Sequence, residues 1–267
     1  MKYYFYLGLL IIVISEILLF TGVKWVRIFF TPLVWTGYIL LIDSIVFKIK
    51  KESWITNRGR TFLLMTGFSA VFWYMFEFFN LFLKNWRYEG LPAFWITAIG
   101  MTWAFATIGP GIFETSDLLE SIGAFKLKTR KFKVPKSVLY TLIIIGAGCL
   151  LSILITPPSI ARYLGILLWL GPILLLDPIN YIQGRKSILK DWQTGNLQKF
   201  LRLFVAGFIC GFLWEFWNYW AAAKWVYEVP YLAEFKIFEM PLFGFLGFPL
   251  LALDYYVFYS FVLRWKD

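Results

Sequence analysis

The sequence predicts an all-α integral membrane protein with eight transmembrane helices, arranged as two four-helix repeats of parallel topology. Three observations support this fold class. The 267 residues are 60% hydrophobic and only 16% charged, whereas about a quarter of the residues in soluble domains are charged. The chain contains apolar runs of about 20 residues, the length that crosses a bilayer as a helix. Short motifs from the first half of the chain recur in the second half.

The apolar runs give the positions of the predicted helices. They lie near residues 3–23, 28–47, 61–83, 93–113, 137–156, 160–182, 200–223 and 241–263. The first run follows a single Lys and lacks a small-residue cleavage site, so we expect a retained helix rather than a signal peptide. The fourth run has a second position, because alignment with the eighth run moves it to residues 103–125 and leaves 91–102 as an interfacial or re-entrant segment. We favour this second position, since two copies of one unit should fold alike.

The repeated motifs divide the chain into two copies. The matches are residues 37–47 (GYILLIDSIVF) with 171–181 (GPILLLDPINY), 77–80 with 215–218, 86–89 with 225–228, and Gly109 with Gly247; their separations are 134, 138, 139 and 138 residues. The first repeat therefore spans residues 1–122 and the second 137–267, joined by a basic linker at 123–136. Because four helices return the chain to its starting side, an axis along the membrane normal should relate the two copies.

The distribution of charge predicts the orientation in the membrane. With a cytoplasmic N-terminus, 19 of the 26 Lys and Arg residues fall in cytoplasmic segments. This is the positive-inside bias of a plasma (inner) membrane protein, and it places both termini in the cytoplasm. The net charge of +10 is thereby explained without a nucleic-acid partner. The basic run at 126–136 is first of all a topology signal, with contact to anionic lipid as the alternative.

Several kinds of chemistry are excluded by composition. The chain has no His, and its two cysteines, Cys149 and Cys210, have no metal-ligand spacing. Haem, most zinc sites and Ser-His catalysis are therefore not expected. No P-loop or GxGxxG motif is present. We expect neither a metal site nor a cofactor.

The repeated carboxyl groups in apolar runs are the first candidates for catalysis. Glu77 and Asn80 share a helix face, and Glu215 and Asn218 repeat the arrangement. The aromatic residues on or near these faces are Trp73, Trp214 and Trp217. Burial away from water favours the neutral form of a carboxyl group. Such a group can donate a proton in catalysis or bind a proton or cation in transport. The alternative is a pair of interhelical hydrogen bonds that join the repeats.

Two repeated aspartates, Asp43 and Asp177, are further catalytic candidates. They lie near the predicted cytoplasmic ends of helices two and six. Pro178 follows Asp177 and should disturb its helix locally. A proton-accepting role and a simple ion pair with the neighbouring Lys and Arg side chains are both open.

The repeated aromatic motifs and helix breaks point to binding. Trp86 and Tyr88, repeated as Trp225 and Tyr227, lie at the predicted outer interface. They suit either the aromatic belt or a cavity wall for a hydrophobic chain. The Gly and Pro residues at 109–111 and 247–249 break the fourth helix of each copy. Paired breaks are typical of transporter binding sites and also of ordinary kinked helices.

A resemblance to a known family adds a substrate class. Residues 214–215 (Trp-Glu), Trp225 and residues 240–242 (Met-Pro-Leu), followed by an aromatic helix through 255–256, resemble the lycopene cyclase domain of the small membrane type, which is often a tandem duplication. The first-copy counterparts are Glu77, Trp86 and residues 101–103. Phe243-Gly244 replaces the family's paired glutamates, so Glu114 and Glu239, the nearest carboxylates, become candidates for substrate binding. The resemblance implies a metal-free cyclase or isomerase of the kind used in carotenoid biosynthesis.

These observations predict a membrane-embedded acid–base enzyme acting on an isoprenoid or lipid substrate. Protonated Glu77 or Glu215 would donate to an alkene or epoxide, and the other glutamate, with Asp43 or Asp177, would take a proton back. The asparagines and aromatic residues would bind the substrate. The alternatives are a proton-coupled transporter or channel for a small solute, and a structural subunit of a membrane complex. Expected partners are membrane lipid or a hydrophobic substrate, no nucleic acid, with homo-oligomerisation left open.

Overall fold

The structure, a computed structural model, describes residues 2–230 and 234–265 and is mostly helical. The first half contains α1 (Tyr4–Phe20), α2 (Lys24–Ile28), α3 (Phe30–Lys50), α4 (Trp54–Asn57), α5 (Gly59–Leu83), β1 (Trp86–Glu89) and α6 (Phe94–Ser121). The second half contains α7 (Lys136–Ile155), α8 (Pro158–Ala161), α9 (Gly165–Ile182), α10 (Ile188–Gln193), α11 (Gln198–Trp220), β2 (Lys224–Tyr227), β3 (Lys236–Ile237), β4 (Met240–Pro241) and α12 (Gly247–Val262). Short 3-10 turns at Arg162–Leu164 and Leu242–Leu246 precede α9 and α12.

The described part of the chain has the helices of a multi-pass membrane protein. Seven helical segments are long and apolar enough to cross a bilayer; they are Phe30–Lys50, Gly59–Leu83, Phe94–Ser121, Lys136–Ile155, Pro158–Ile182, Gln198–Trp220 and Leu242–Val262. The first predicted span, α1, is apolar but has only 17 residues, which is the lower end of the spanning range. Large apolar side chains face outwards, among them Leu63, Leu81 and Ile144, each about 70% exposed. A hydrocarbon environment would accommodate them without cost.

The fourth helix of the first half differs from both sequence-based positions. Helix α6 is continuous over 28 residues from Phe94 to Ser121. The predicted interfacial or re-entrant segment at 91–102 is therefore wrong from residue 94 onwards. The second half does differ there, since residues 236–246 form the β3–β4 hairpin and a 3-10 turn. Pro241 explains this difference, because proline removes a backbone donor where Trp103 continues the helix in the first half.

Close glycine contacts hold neighbouring helices together. A Cβ atom on Gly8 would lie 2.5 Å from the Gly37 carbonyl oxygen, and one on Gly146 would lie 2.9 Å from that of Gly171. Helices α1 and α3, and likewise α7 and α9, therefore approach backbone to backbone, as small residues allow in membrane helices. In α6, a Cβ atom on Gly109 would collide with the ring of Tyr259. The break predicted at Gly109 is thus a site of close packing within an uninterrupted helix.

A two-stranded antiparallel sheet, the ribbon, joins the two halves at one end of the bundle. Strands β1 and β2 pair with Trp86 opposite Tyr227 and Tyr88 opposite Trp225. We call this the ribbon end. The other end, the basic end, carries the segments 51–58 and 183–197 together with the linker at 123–136. For the ribbon residues the sequence predicted either an aromatic belt or a cavity wall, and it did not predict strands.

Candidate functional site

Glu77 is the polar centre of the first half of the site. It lies near the C-terminal end of α5, and its Oε1 atom accepts three hydrogen bonds. The donors are Trp73 Nε1 at 2.9 Å, Trp86 Nε1 at 3.0 Å and the Tyr88 hydroxyl group at 2.5 Å. Three donors on one oxygen stabilise the ionised carboxylate.

Glu215 occupies the matching position on α11 with fewer donors. Its Oε1 atom accepts from Trp225 Nε1 at 3.1 Å and from the Tyr227 hydroxyl group at 3.2 Å. The residue is fully buried, and within the described residues its Oε2 atom has no hydrogen-bond partner. An unpaired buried carboxylate oxygen is costly, and a proton on that oxygen removes the charge.

The two asparagines fix the ribbon to the helices. Asn80 Nδ2 donates to the Trp86 carbonyl at 2.8 Å, and its Oδ1 accepts from the Asn85 amide at 2.9 Å. Asn218 Nδ2 donates to the Trp225 carbonyl at 2.8 Å, and its Oδ1 accepts from the Trp225 amide at 3.0 Å. These contacts explain the Glu-x-x-Asn spacing. The asparagine side chain binds the backbone of the strand, and the glutamate one helical turn earlier binds the tryptophan and tyrosine side chains of the same strand.

An apolar pocket with an empty volume of about 1110 Å³, its mouth included, lies against the ribbon. Six predicted site residues line it: Trp73, Trp86, Tyr88, Trp214, Trp225 and Tyr227. Glu77 and Glu215 do not line it. Each carboxyl group lies behind the aromatic wall. The indole N–H and phenol O–H groups of the wall donate hydrogen bonds to the carboxyl group on the side away from the pocket.

The two tyrosine hydroxyl groups stay neutral at this wall. Burial raises the pKa of Tyr88 well above its ordinary value, and the Glu77 carboxylate raises it further. Burial and then Glu215 do the same to the pKa of Tyr227. Both phenols are therefore hydrogen-bond donors to the glutamates throughout the ordinary pH range.

Lys224 is the charged side chain in the pocket lining. Its ammonium group is 2.5 Å from Glu239 Oε1 and 5.3 Å from the centre of the Tyr219 ring. Glu239 was expected to bind substrate, and the structure gives it the role of neutralising this lysine. The pocket therefore has no net charge from this pair.

Asp43 and Asp177 are far from the glutamates. Asp43 accepts from the Tyr4 hydroxyl at 2.6 Å, the Ser53 hydroxyl at 2.9 Å and the Ile55 amide at 2.9 Å. Asp177 accepts from Ser187 and from the amides of Ile188 and Leu189 at 2.7–3.1 Å. Both lie at the basic end, and α5 rises by about 27 Å between residues 59 and 77. We had expected these aspartates to take a proton back from the substrate site. The structure corrects this expectation, since each aspartate instead binds the first residues of a short helix.

Glu114 and Trp217 also lie outside the pocket. Glu114 is fully buried in α6, beside Asp43, so its expected contact with substrate is corrected. Trp217 Nε1 donates to Glu16 Oε1 at 2.9 Å, and its ring packs 5.2 Å from that of Trp35. Trp217 thus joins α11 to α1 and α3.

The sequence analysis did not predict most of the pocket wall, which also includes Trp169, Lys224, Met240 and Phe248. The position of Trp169 could have been predicted from the sequence repeat. Trp169-Leu170-Gly171 matches Trp35-Thr36-Gly37 at the same separation of 134 residues that was found for the adjoining motif. The matched tryptophans also contact matched positions, because Trp35 packs on Trp214 at 4.8 Å and Trp169 packs on Phe76 at 5.1 Å.

The described residues contain no group of three or more His, Cys, Asp or Glu side chains that could hold a metal ion. The polar groups described at the site are the carboxyl, phenol, indole, amide and ammonium groups of its side chains. Comparison of the chain with protein-family models, with curated proteins and with solved structures found no match.

Proposed function

We propose that this chain is a membrane-embedded enzyme that binds an isoprenoid or other lipid chain in the aromatic pocket and rearranges it by metal-free acid–base chemistry. The observation that carries the proposal is the shared position of the two aromatic motifs. Both place their rings in one apolar pocket, and both bind a glutamate through the polar edge of the same side chains.

The substrate class follows from the pocket wall. Ligand sites are typically lined by apolar side chains with few polar groups. The lining here has this character, and its charged pair is neutral overall. Tryptophan and tyrosine rings stabilise a cation that develops over their faces. The resemblance to the small membrane-type lycopene cyclase domain supports an isoprenoid within this class.

The unequal hydrogen bonding of the glutamates supports separate roles for them. Glu215, with an unpaired oxygen, is the proton donor, and Glu77, with three donors on one oxygen, is the acceptor. In the proposed step the Tyr227 hydroxyl group turns towards the pocket, gives its proton to the substrate and takes the proton of Glu215 in its place. The delivered proton forms a C–H bond as a substrate π bond breaks, which leaves a carbocation. A neighbouring C–H bond then breaks, and its electron pair forms the new π bond. The released proton binds the Tyr88 oxygen as the proton of Tyr88 passes to Glu77. The product is an isomer of the substrate.

The tyrosines provide the route between carboxyl groups and pocket. Each phenol is bonded to its glutamate, and Tyr88 and Tyr227 are close enough to interact electrostatically. Return of a proton from Glu77 to Glu215 restores the starting state. The asparagines act as positioning residues, because they hold the strands that carry the phenols.

We further propose that all eight long helices, α1 included, cross the plasma membrane as two parallel four-helix repeats with cytoplasmic termini. The support is threefold. The glycine contacts of α1 with α3 and of α7 with α9 correspond. Asp43 and Asp177 each bind a serine hydroxyl group ten residues later. The Lys and Arg residues are concentrated at the basic end.

A second candidate, proton-coupled transport of a small solute, is favoured by Glu114. This side chain is fully buried, and its oxygen atoms make no well-formed hydrogen bond within the described residues. Buried carboxyl groups of this kind mark proton relays in transporters.

Mass spectrometry of organic extracts tests the enzyme proposal. The detergent-purified wild type is compared with Ala104→Trp, which fills the pocket, and with Ile99→Trp, which adds the same ring to a 65% exposed position on the same helix. We expect a near-stoichiometric polyisoprenoid or lipid in the wild type and Ile99→Trp, and its loss in Ala104→Trp. In Glu215→Gln the bound species should be unrearranged substrate. Only bulk phospholipid in every sample would contradict the proposal and direct attention to proton-coupled uptake in liposomes.

A further inference from the structure

Three acidic residues of α6 form a row from the protein core to the basic end. Glu114, Asp117 and Glu120 are spaced three residues apart, so they share one helix face. Exposure rises along the row. Glu114 is fully buried, Asp117 is half-buried and the Glu120 side chain is 37% exposed. Since Glu120 follows Glu114 by six residues within α6, the row covers about 9 Å of helix.

Basic side chains surround the outer part of the row. Glu120 binds Lys50 of α3 and Arg202 of α11, the latter at 2.8 Å. Asp117 interacts electrostatically with Lys199 of α11, with Lys50 and with Arg58. These cations favour the ionised form of Glu120, and at Asp117 they act against the larger effect of burial.

The inner end of the row has different surroundings. The groups that act on Glu114 are Asp43 of α3, the next acid Asp117 and the Tyr38 phenol. Glu114 is fully buried, and neither of its carboxyl oxygens has a well-formed hydrogen bond within the described residues. Asp43 already accepts hydrogen bonds from a backbone amide and two hydroxyl groups. A negative charge on Glu114 would therefore be costly, because it would be buried beside other acids without a partner.

The second half of the chain provides a comparison. Asp177 repeats the environment of Asp43, with serine and backbone donors. At the separation of 138 residues, Ala252, Tyr255 and Phe258 stand where the first half has Glu114, Asp117 and Glu120. The row of three acids is therefore specific to the first half. The second half instead has one acid on α12, Asp254, which is fully buried and has no well-formed hydrogen bond within the described residues.

We propose that Glu114 holds an exchangeable proton against Asp43, and that Asp117 and Glu120 conduct this proton to and from the basic end. The row is independent of the pocket chemistry, which lies at the ribbon end. It supplies the protein with a proton site reached from one side of the membrane. The Lys50, Lys199 and Arg202 side chains set the entrance of this route.

Carbodiimide labelling identifies the proton. Dicyclohexylcarbodiimide reacts with a protonated carboxyl group and leaves a stable adduct where water is excluded. The full-length protein in detergent is labelled near neutral pH, and peptides are analysed by mass spectrometry. We expect an adduct on Glu114 and none on Asp43 or Asp177. Because this measurement needs no variant, a failure of Glu114→Gln to fold would not affect it. Absence of the adduct from Glu114 would overturn the proposal.

Infrared spectroscopy tests the route. The protonated-carboxyl band lost in Glu114→Gln is followed after transfer of the wild type into heavy water. We expect its exchange to slow by about tenfold or more in Asp117→Asn, a factor equivalent to about 1.4 kcal/mol in the barrier. Glu52→Gln, an exposed acid at the same end, is the control and should exchange like the wild type. Equal exchange rates in Asp117→Asn and wild type would contradict the row as the route, whatever the activity of the pocket.

Discussion

The Tyr88 hydroxyl group donates to Glu77 Oε1 at 2.5 Å, whereas the equivalent bond from Tyr227 to Glu215 is 3.2 Å long. Trp73 adds a third donor to Glu77, and the matching position before Glu215 is Gly211, which has no side chain to donate. The two halves thus have similar motifs with different hydrogen bonding. Glu77 accepts three hydrogen bonds on one oxygen, whereas Glu215 accepts two and keeps a buried oxygen without a described partner.

This inequality predicts different stabilities for the two amide variants. On the proposed assignment of Glu77 as the ionised acceptor, Glu77→Gln removes the charge that three donors bind, so we expect a loss of about 1–3 kcal/mol in unfolding free energy. Glu215→Gln should cost less, because an amide matches the neutral acid proposed there. Thermal unfolding in one detergent, followed by tryptophan fluorescence, compares the two. A larger loss from Glu215→Gln would contradict the assignment of donor and acceptor.

The asparagines should matter for stability in both halves. Asn80→Ala and Asn218→Ala each leave backbone groups of the ribbon without a partner, at a cost of about 1–3 kcal/mol. Thr21→Val is the control, because that exposed hydroxyl bonds only to the carbonyl of Leu18 in its own helix. Thermal unfolding measures all three. A control that loses as much as the asparagine variants would show that the ribbon contacts carry no stability.

The packing of Gly109 can be tested with a glycine pair. Gly109→Ala should destabilise the protein by about 1–3 kcal/mol, because the methyl group meets the Tyr259 ring. Gly148→Ala has nothing within 4 Å of the new atom. It should stabilise α7 by up to about 1 kcal/mol, since alanine is the better helix former. The midpoint of thermal unfolding should therefore move in opposite directions. Equal shifts would be inconsistent with the described close approach.

The two aspartates at the basic end should behave as structural residues. Asp177→Asn weakens the binding of the amides of Ile188 and Leu189, and a cost of about 1–2 kcal/mol is typical of a lost helix cap. Bound lipid, measured by mass spectrometry of organic extracts, should remain unchanged at temperatures where the variant is folded. Loss of the bound species with unchanged stability would restore Asp177 to the catalytic site.

The helices could be predicted because the bilayer sets their length and composition, and seven of the eight runs have the expected character in the described chain. The ribbon could not be predicted, because four-residue strands are too short to show a periodic pattern. Tryptophan and tyrosine at a membrane interface also suit an aromatic belt equally well. The roles of Asp43 and Asp177 had a signal that we did not use, namely the serine ten residues after each. The pocket depends on long-range packing of Ala104, Trp169 and Phe248, which no local pattern reports.

The register of the ribbon also bears on the origin of the chain. An antiparallel pair in which Trp86 faces Tyr227 and Tyr88 faces Trp225 joins a Trp-x-Tyr motif to its own copy with the ends exchanged. This is an isologous contact, the kind that a two-fold axis generates between identical subunits. A four-helix ancestor could form the same strand pair as a homodimer, with one pocket shared by two identical walls. Fusion of two such genes would need no new contact, and each half would then be free to change its own glutamate.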